Sequence, residues 1–415
     1  MTDATTKAFS PHPGLDFREF VGLIAAMMAV NAVAIDVMLP AMPQIGNALG
    51  IIDANQRQWI ITAYMLGLGG AQLFYGSLAD RFGRKPVLLI ALSLYALFSF
   101  VAAFASSFAL MIAARSLQGA ASAAMRVLSI SIVRDCYSGR QMARVMSLSF
   151  IIFMAVPILA PSIGQIVLLL APWRWIFGVL GIFGSVVALW SALRLPETLH
   201  PEYRVPITFS RLGDAARKVL TDRTSVGYSA AMTLLVGGLF GFINSVQQIF
   251  FDVFHAPHLF TIIFALVAAS MAVASFINSR IVERLGTRCV SHAAMFGFVF
   301  FAVVHLALAL AGMENIWTFA VVQAAMMGCF GLSSANFGSM AMESLGEVAG
   351  MASSIQGFIT TVGGALIGIL IGQQFNGTTV PVYMGFSVLG VLTIIIVLIT
   401  EKGRLFVAHH PAVKH

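Results

Sequence analysis

Asp36 is the one acidic residue placed well inside an apolar run of this chain. Counted from Phe20 it lies ~24 Å along the first such run, at 1.5 Å per residue. An ionised, unpaired carboxylate is expensive to bury there, so the group must be protonated, paired or in contact with water. Arg115 enters the fourth apolar run about 10 Å deep by the same rise, a level similar to that of Asp36. A carboxyl that alternates between a proton and an arginine partner can couple proton movement to helix rearrangement. The same two residues could also form a static pair.

Arg115, Gln118, Ser122 and Arg126 follow a 3-4-4 spacing and share one helix face. Lipid would not accept that stripe, so it is expected to face a central cavity. Arg126, about 16 Å beyond Arg115 along the axis, has no evident acidic partner. It could pair with Asp36 in another state, meet an anionic or polar substrate, or snorkel inward. Asn244, Gln247 and Gln248 repeat the helical spacing and could contact substrate or hydrogen-bond between helices. Asn31, Tyr64, His305, Gln323, Asn336 and Gln356 are first read as packing groups, with Asn31 and Tyr64 kept as cavity candidates. Asn31 lies about 140° around its helix from Asp36, so the two cannot face one neighbour. Plentiful methionine (21) and phenylalanine (33) suit an adaptable apolar cavity.

The elements that position these groups must be membrane helices. Hydrophobic residues make up 59% of the 415 and charged residues 10%, far from the roughly one quarter charged of soluble domains. Runs of about 20 apolar residues fall near 20–44, 58–78, 86–106, 108–132, 145–170 and 174–194. A second set falls near 225–250, 259–281, 289–311, 316–341, 347–373 and 379–400. The expected fold is therefore an all-α membrane protein of twelve transmembrane helices. Its parts are a tail (1–19), a six-helix bundle (20–195), a linker (196–224), a second six-helix bundle (225–401) and a tail (402–415). No small-residue cleavage site follows a short apolar segment, so the first run is read as a retained helix.

The basic residues set the orientation. Arg57 and Arg174 fall on one side and Arg115 and Arg126 inside a span, leaving the other 20 of the 24 on the side of the termini. The positive-inside rule makes that side the cytoplasm, with the linker. The net charge of +7 is spread over short clusters and forms no nucleic-acid footprint. Cys136, Cys289 and Cys329 have neither disulfide nor metal-ligand spacing, so no metal or cofactor is expected. A shift of 203 residues lays Asp80-Arg81-Phe82-Gly83 over Glu283-Arg284-Leu285-Gly286, and Arg144-Val145 over Glu347-Val348. Each half is read as one copy of a six-helix unit, with a substrate site near the midplane between the copies.

The turn after the second run reads Gly76-Ser77-Leu78-Ala79-Asp80-Arg81-Phe82-Gly83-Arg84-Lys85-Pro86. It resembles the signature loop of the major facilitator superfamily at nearly every position. Asp36-Val37-Met38-Leu39-Pro40-Ala41-Met42-Pro43 and Arg115-Ser116-Leu117-Gln118-Gly119-Ala120-Ala121 are similar to motifs of its drug:proton antiporters of the bicyclomycin-resistance (Bcr/CflA) type. So are Pro157-Ile158-Leu159-Ala160-Pro161-Ser162-Ile163-Gly164 and Leu195-Pro196-Glu197-Thr198-Leu199. Gln165 stands where a second glycine is usual, and Met28 where some relatives carry an acid. The resemblance implies a proton-driven exporter of small amphipathic compounds, monomeric, in a bacterial inner membrane. It implies Asp36 and Arg115 as the proton-coupling pair. It also implies Gly76, Asp80, Arg81, Gly83, Arg84 and Asp135 as a cytoplasmic latch, and Pro157, Pro161 and Gly164 as an antiporter helix motif. Import of a defined solute on the same fold is the alternative. An enzyme is not indicated, since no HExxH, GxSxG or clustered His/Cys set occurs, and the chain lacks the phosphate loop of an ATP-driven pump.

Overall fold

Backbone N–H and C=O groups find no partner in lipid, so long apolar segments must satisfy them internally, as helices. The computed structural model describes residues 15–204 and 209–407, and among these the regular structure is entirely helical. The expected tail and linker stretches 1–14, 205–208 and 408–415 lie outside the described residues. In chain order the first helices are α1 (Phe17–Asp36), a short α2 (Met42–Ala48), α3 (Trp59–Phe82), α4 (Arg84–Ala103), α5 (Phe108–Cys136), α6 (Gly139–Leu170) and α7 (Arg174–Arg194). After α8 (Phe209–Thr221) come α9 (Arg223–Gln248), α10 (Phe260–Leu285), α11 (Thr287–Leu310), α12 (Ile316–Ala341), α13 (Ala349–Gly372) and α14 (Val380–Thr400). Without α2 and α8, twelve long helices remain among the described residues, each overlapping one of the expected runs.

Eleven of the twelve, with α1 and α2 taken as one run, are long and apolar enough to cross a bilayer by composition. The remaining helix, α3, has the length but carries Thr62, Tyr64, Gln72 and several glycines. Those residues suit a helix enclosed by protein. A Cβ on Gly67 would come within 2.0 Å of the Ser116 carbonyl oxygen of α5, and one on Gly119 within 2.0 Å of the Tyr64 carbonyl oxygen. On its other side, a Cβ on Gly69 would meet Val362 of α13 at 2.7 Å. Small residues thus let three backbones approach closely, as is usual for helix pairs in lipid.

α1 and α3–α7 pack mainly on one another, as do α9–α14, and the two sets meet where α3 lies against α13 and α6 against α10. The repeat is visible in the turns. Gly83 (φ 103°) closes α3 and Gly286 (φ 82°) closes α10, 203 residues later, in the left-handed region that favours glycine. Each permits a helix to end and the next to start within one residue. α8 packs Ala215 and Val219 against a cluster with Leu345, Ala352, Ile355 and Leu73. The face at which α1 begins carries most of the basic residues and is called the basic face; the other is the far face.

Candidate functional site

Asp36 is the last residue of α1, where the helix breaks before α2, and its side chain is buried. Among the described residues it has no hydrogen bond and no ion pair. Arg115 is fully buried and does not reach it. Its guanidinium donates to Gln118 Oε1 (2.6 Å), to the Ala34 carbonyl (2.9 Å) and to the Ile60 carbonyl (3.3 Å). Its Cζ also sits 4.4 Å from the Tyr64 ring centroid and 5.8 Å from that of Phe177. The expected pair is therefore not formed in this conformation. The arginine is taken instead by Gln118, by the Ile60 carbonyl in the first turn of α3 and by the Ala34 carbonyl at the end of α1, and the last competes well because the end of a helix leaves its last carbonyls without internal partners.

The Pro157–Gly164 segment lies at the same break. Pro157 and Pro161 lie inside α6, and Gly164 rests against the segment after Asp36. A Cβ on Gly164 would come 1.9 Å from the Val37 carbonyl oxygen and 3.1 Å from Pro40. Gly164 therefore lets α6 seat directly on the residues that follow the buried carboxyl.

The polar stripe of α5 divides. Gln118 donates to Ser99 Oγ of α4 (2.6 Å) and Ser122 to the Gly119 carbonyl (2.7 Å), and both are fully buried inside the first helix set. Tyr64 is buried likewise, its hydroxyl donating to Asn31 Oδ1 at 3.3 Å. Contrary to expectation, Gln118, Ser122 and Tyr64 do not line a cavity, because polar partners inside the bundle satisfy them as well as water would. Arg126 alone of the stripe is exposed, and it reaches across to Thr361 Oγ1 of α13 at 3.5 Å. Most of the polar groups of the second set are also matched internally. His305 bonds Glu314 at 2.8 Å, Tyr383 donates to Gln323 at 3.1 Å, and Asn278 and Asn336 bond each other.

At the far face an amide network ties the two sets together. Gln58 donates to Gln248 Oε1 (2.7 Å) and to the Gly372 carbonyl (3.0 Å), and Gln248 donates to Asn55 Oδ1 (2.8 Å). Asn55 donates to the Phe375 carbonyl (2.9 Å), while Gln373 donates to the Asn55 carbonyl (2.7 Å). Asn244 approaches Thr62 Oγ1 at 3.4 Å, and Gln247 is buried. Of the two readings left open for this trio, interhelical bonding is the one that Asn244 and Gln248 adopt, so they are not cavity residues here. Asn55, Gln58 and Gln373 escaped the sequence reading because they sit at span ends, where polar residues are ordinary. α9 continues into a π-helical turn, Ile249–Val253, immediately after Gln248, a distortion frequent at functional sites. Each neutral hydrogen bond contributes about 1 kcal/mol, so Asn55→Leu with Gln58→Leu should open this face. Spin labels on the far ends of α3 and α13 should report a longer distance population; an unchanged distribution would deny the network a closing role.

At the basic face Arg84 bonds Asp80 (2.6 Å) and Asp135 (3.0 Å), joining α3, α4 and α5. Glu197 accepts from the backbone N–H of Arg84 (2.8 Å) and of Lys85 (3.2 Å), capping α4 where anions are favoured. Thr198 donates to Asp135 at 3.2 Å. A Cβ on Gly83 would strike Glu197 Oε2 at 2.4 Å. Arg81 lies outside the cluster, over the Phe82 ring, and Gly76 faces Ser354 of α13. The second set holds a counterpart that the sequence reading missed. Arg288 bonds Glu343 and Glu401, both at 2.9 Å, and Tyr228 donates to Glu401 at 2.6 Å. Burial opposes ionisation of Glu401, yet the Tyr228 hydroxyl and the Arg288 guanidinium together hold its carboxyl below the ordinary value. The 203-residue shift lays Lys85, not Arg84, over Arg288, so the pattern was hidden by one residue of register. Asp80→Asn or Arg84→Ala should slow turnover while leaving equilibrium binding largely intact, since neither residue is near the midplane. Equal loss of affinity and rate in a filter-binding and transport comparison would deny this cluster a gating role.

Twelve membrane-length helices in two similar sets, with a buried carboxyl at a helix break and charge clusters at one face, make a secondary transporter. The chain belongs to the Major Facilitator Superfamily, whose sequence model matches residues 24–368. It is 31% identical to the uncharacterized MFS-type transporter YdgK of Bacillus subtilis (strain 168), over 86% of this chain and 88% of that one. It is 29% identical to a bicyclomycin resistance protein homolog of Haemophilus influenzae, over 91% of this chain and 94% of that one. Multidrug resistance protein MdtL of Salmonella heidelberg is 28% identical over 89% of this chain and 92% of its own. A crystal structure of a D-xylose-proton symporter shares the fold, with a TM-score of 0.71 at 15% identity, covering 93% of this chain and 98% of the other.

Proposed function

We propose that this chain exports small amphipathic compounds in exchange for protons by alternating access, with Asp36 as the proton carrier. The observation that carries the reading is the setting of Asp36. It is a buried carboxyl without an ion pair among the described residues, at a helix break onto which Gly164 lets α6 close. A group so placed is sensitive to any movement of α6, and its protonation and the shape of the break are linked. The two helix sets, 20–195 and 225–401, rock against each other about the 196–224 linker, with the basic face cytoplasmic in a bacterial inner membrane. The amide network holds the far side shut while the charge clusters hold each set together. The names of the Haemophilus and Salmonella relatives support export of drug-like compounds.

The test uses everted membrane vesicles acidified inside, with a broad panel of amphipathic compounds. Transported compounds should discharge the pH gradient only in vesicles that contain the protein. Accumulation of a single sugar or nucleoside by intact cells, with no discharge by the panel, would overturn export.

A further inference from the structure

Arg126 is a fixed positive charge deep in the protein that the proton path does not use. Its level follows from register. Arg115 bonds the Ile60 carbonyl, and Gly119 abuts the Tyr64 carbonyl. Both pairs are separated by 55 positions, and the same offset sets Arg126 beside Ala71, in the middle of α3 (Trp59–Phe82). The side chain points between the two helix sets, since it reaches a residue of α13. It is open, and among the described residues its one polar contact is with Thr361 across the boundary between the sets. No carboxylate pairs with it among the described residues. Apart from Asp36, and Asp214 in the short helix α8 between the two sets, the described acids lie in loops or within the end turns of helices. Beside it on α3, Gln72 is buried with its Oε1 lacking a hydrogen-bond partner, and its amide lies against Gly357, one turn from Thr361.

An unpaired guanidinium at the midplane disfavours cations and favours a ligand that brings a negative charge. We propose that Arg126, with Gln72 and Thr361, is the point at which the transported compound is recognised, and that it takes an anionic group, a carboxylate or phosphonate. Gln72 Oε1 accepts from a hydroxyl or N–H donor on the same ligand. The inference rests on the chain being a transporter of amphipathic compounds, but not on proton coupling.

Binding is measured at equilibrium, without any gradient, on the purified full chain in phosphatidylcholine nanodiscs. Four probes share a naphthalene body and carry a carboxylate, a phosphonate, a carboxamide or a trimethylammonium group. The two anions should bind at least about tenfold more tightly than the amide, and the cation most weakly. Arg126→Gln should abolish that preference and leave the amide unchanged, while Arg126→Lys keeps part of it. Thermal unfolding of both variants near the native temperature shows that the change is not misfolding. Equal binding of anions and amide, tightest binding of the cation, absence of binding by every probe, or an undiminished preference in Arg126→Gln would each overturn the proposal. So would loss of carboxylate binding when phosphatidylglycerol is added, because the anion would then be a lipid headgroup. If anion selectivity stands while proton exchange fails, only the proton coupling falls.

Discussion

Asp36→Asn should abolish uphill, pH-driven transport while leaving substrate binding in place. The amide is close in shape to the neutral acid, and among the described residues the Asp36 side chain makes no hydrogen bond or ion pair whose loss would unfold the helix break. With one proton exchanged per cycle, a difference of one pH unit supplies about 1.4 kcal/mol and supports about a tenfold concentration ratio. In proteoliposomes the variant should equilibrate at a ratio of about one whatever the imposed pH difference. The sharper measurement is proton release from purified protein on adding a bound compound. Native protein should release protons and Asp36→Asn should not. Undiminished release from the variant would take Asp36 out of the proton path and leave it a packing residue.

Arg115→Ala should damage the fold before it damages coupling. The guanidinium joins α1 through Ala34, α3 through Ile60 and the Tyr64 ring, α5 through Gln118, and α7 through the Phe177 ring. Hydrogen bonds involving a charged group contribute roughly 1.5–3 kcal/mol each, and truncation would leave two carbonyls and an amide oxygen without this donor. The expected loss is several kcal/mol, read as a lower unfolding temperature and low yield in detergent. Arg115→Lys should not restore it, because an ammonium cannot present the planar fork that serves three acceptors at once. A stable Arg115→Ala protein that binds compounds normally but fails to release protons would instead make Arg115 the direct partner of Asp36.

Much of this molecule follows from its sequence alone. The twelve long helices are properties of single segments, each decided by about 20 residues of apolar composition and by the need to close backbone hydrogen bonds in lipid. The repeat is local as well, for Gly83 and Gly286 impose the same left-handed turn wherever they occur. Arg84 with Asp80 is an i, i+4 pair, legible within one turn of chain. α3 was recognised although it is the least apolar of the spans, because 58–78 still offers a run of about 20 mostly apolar residues.

What lay beyond the sequence is which surfaces oppose each other. Arg115, Gln118, Ser122 and Arg126 form one stripe by spacing, yet three find partners within their own set and the fourth looks across to α13. Helical periodicity assigns a direction around an axis and says nothing of what stands there. Arg288, Glu343 and Glu401 come from three different chain connections, and Asn55, Gln58, Gln248 and Gln373 from three separated span ends. Their pairing is non-local, and no spacing rule foretells it. Gly164 reads in sequence as one position of an antiporter helix motif, whereas in the fold it is the gap that admits the Val37 carbonyl. Close packing makes that difference, since a residue without a side chain has its meaning set by the neighbour that fills the space.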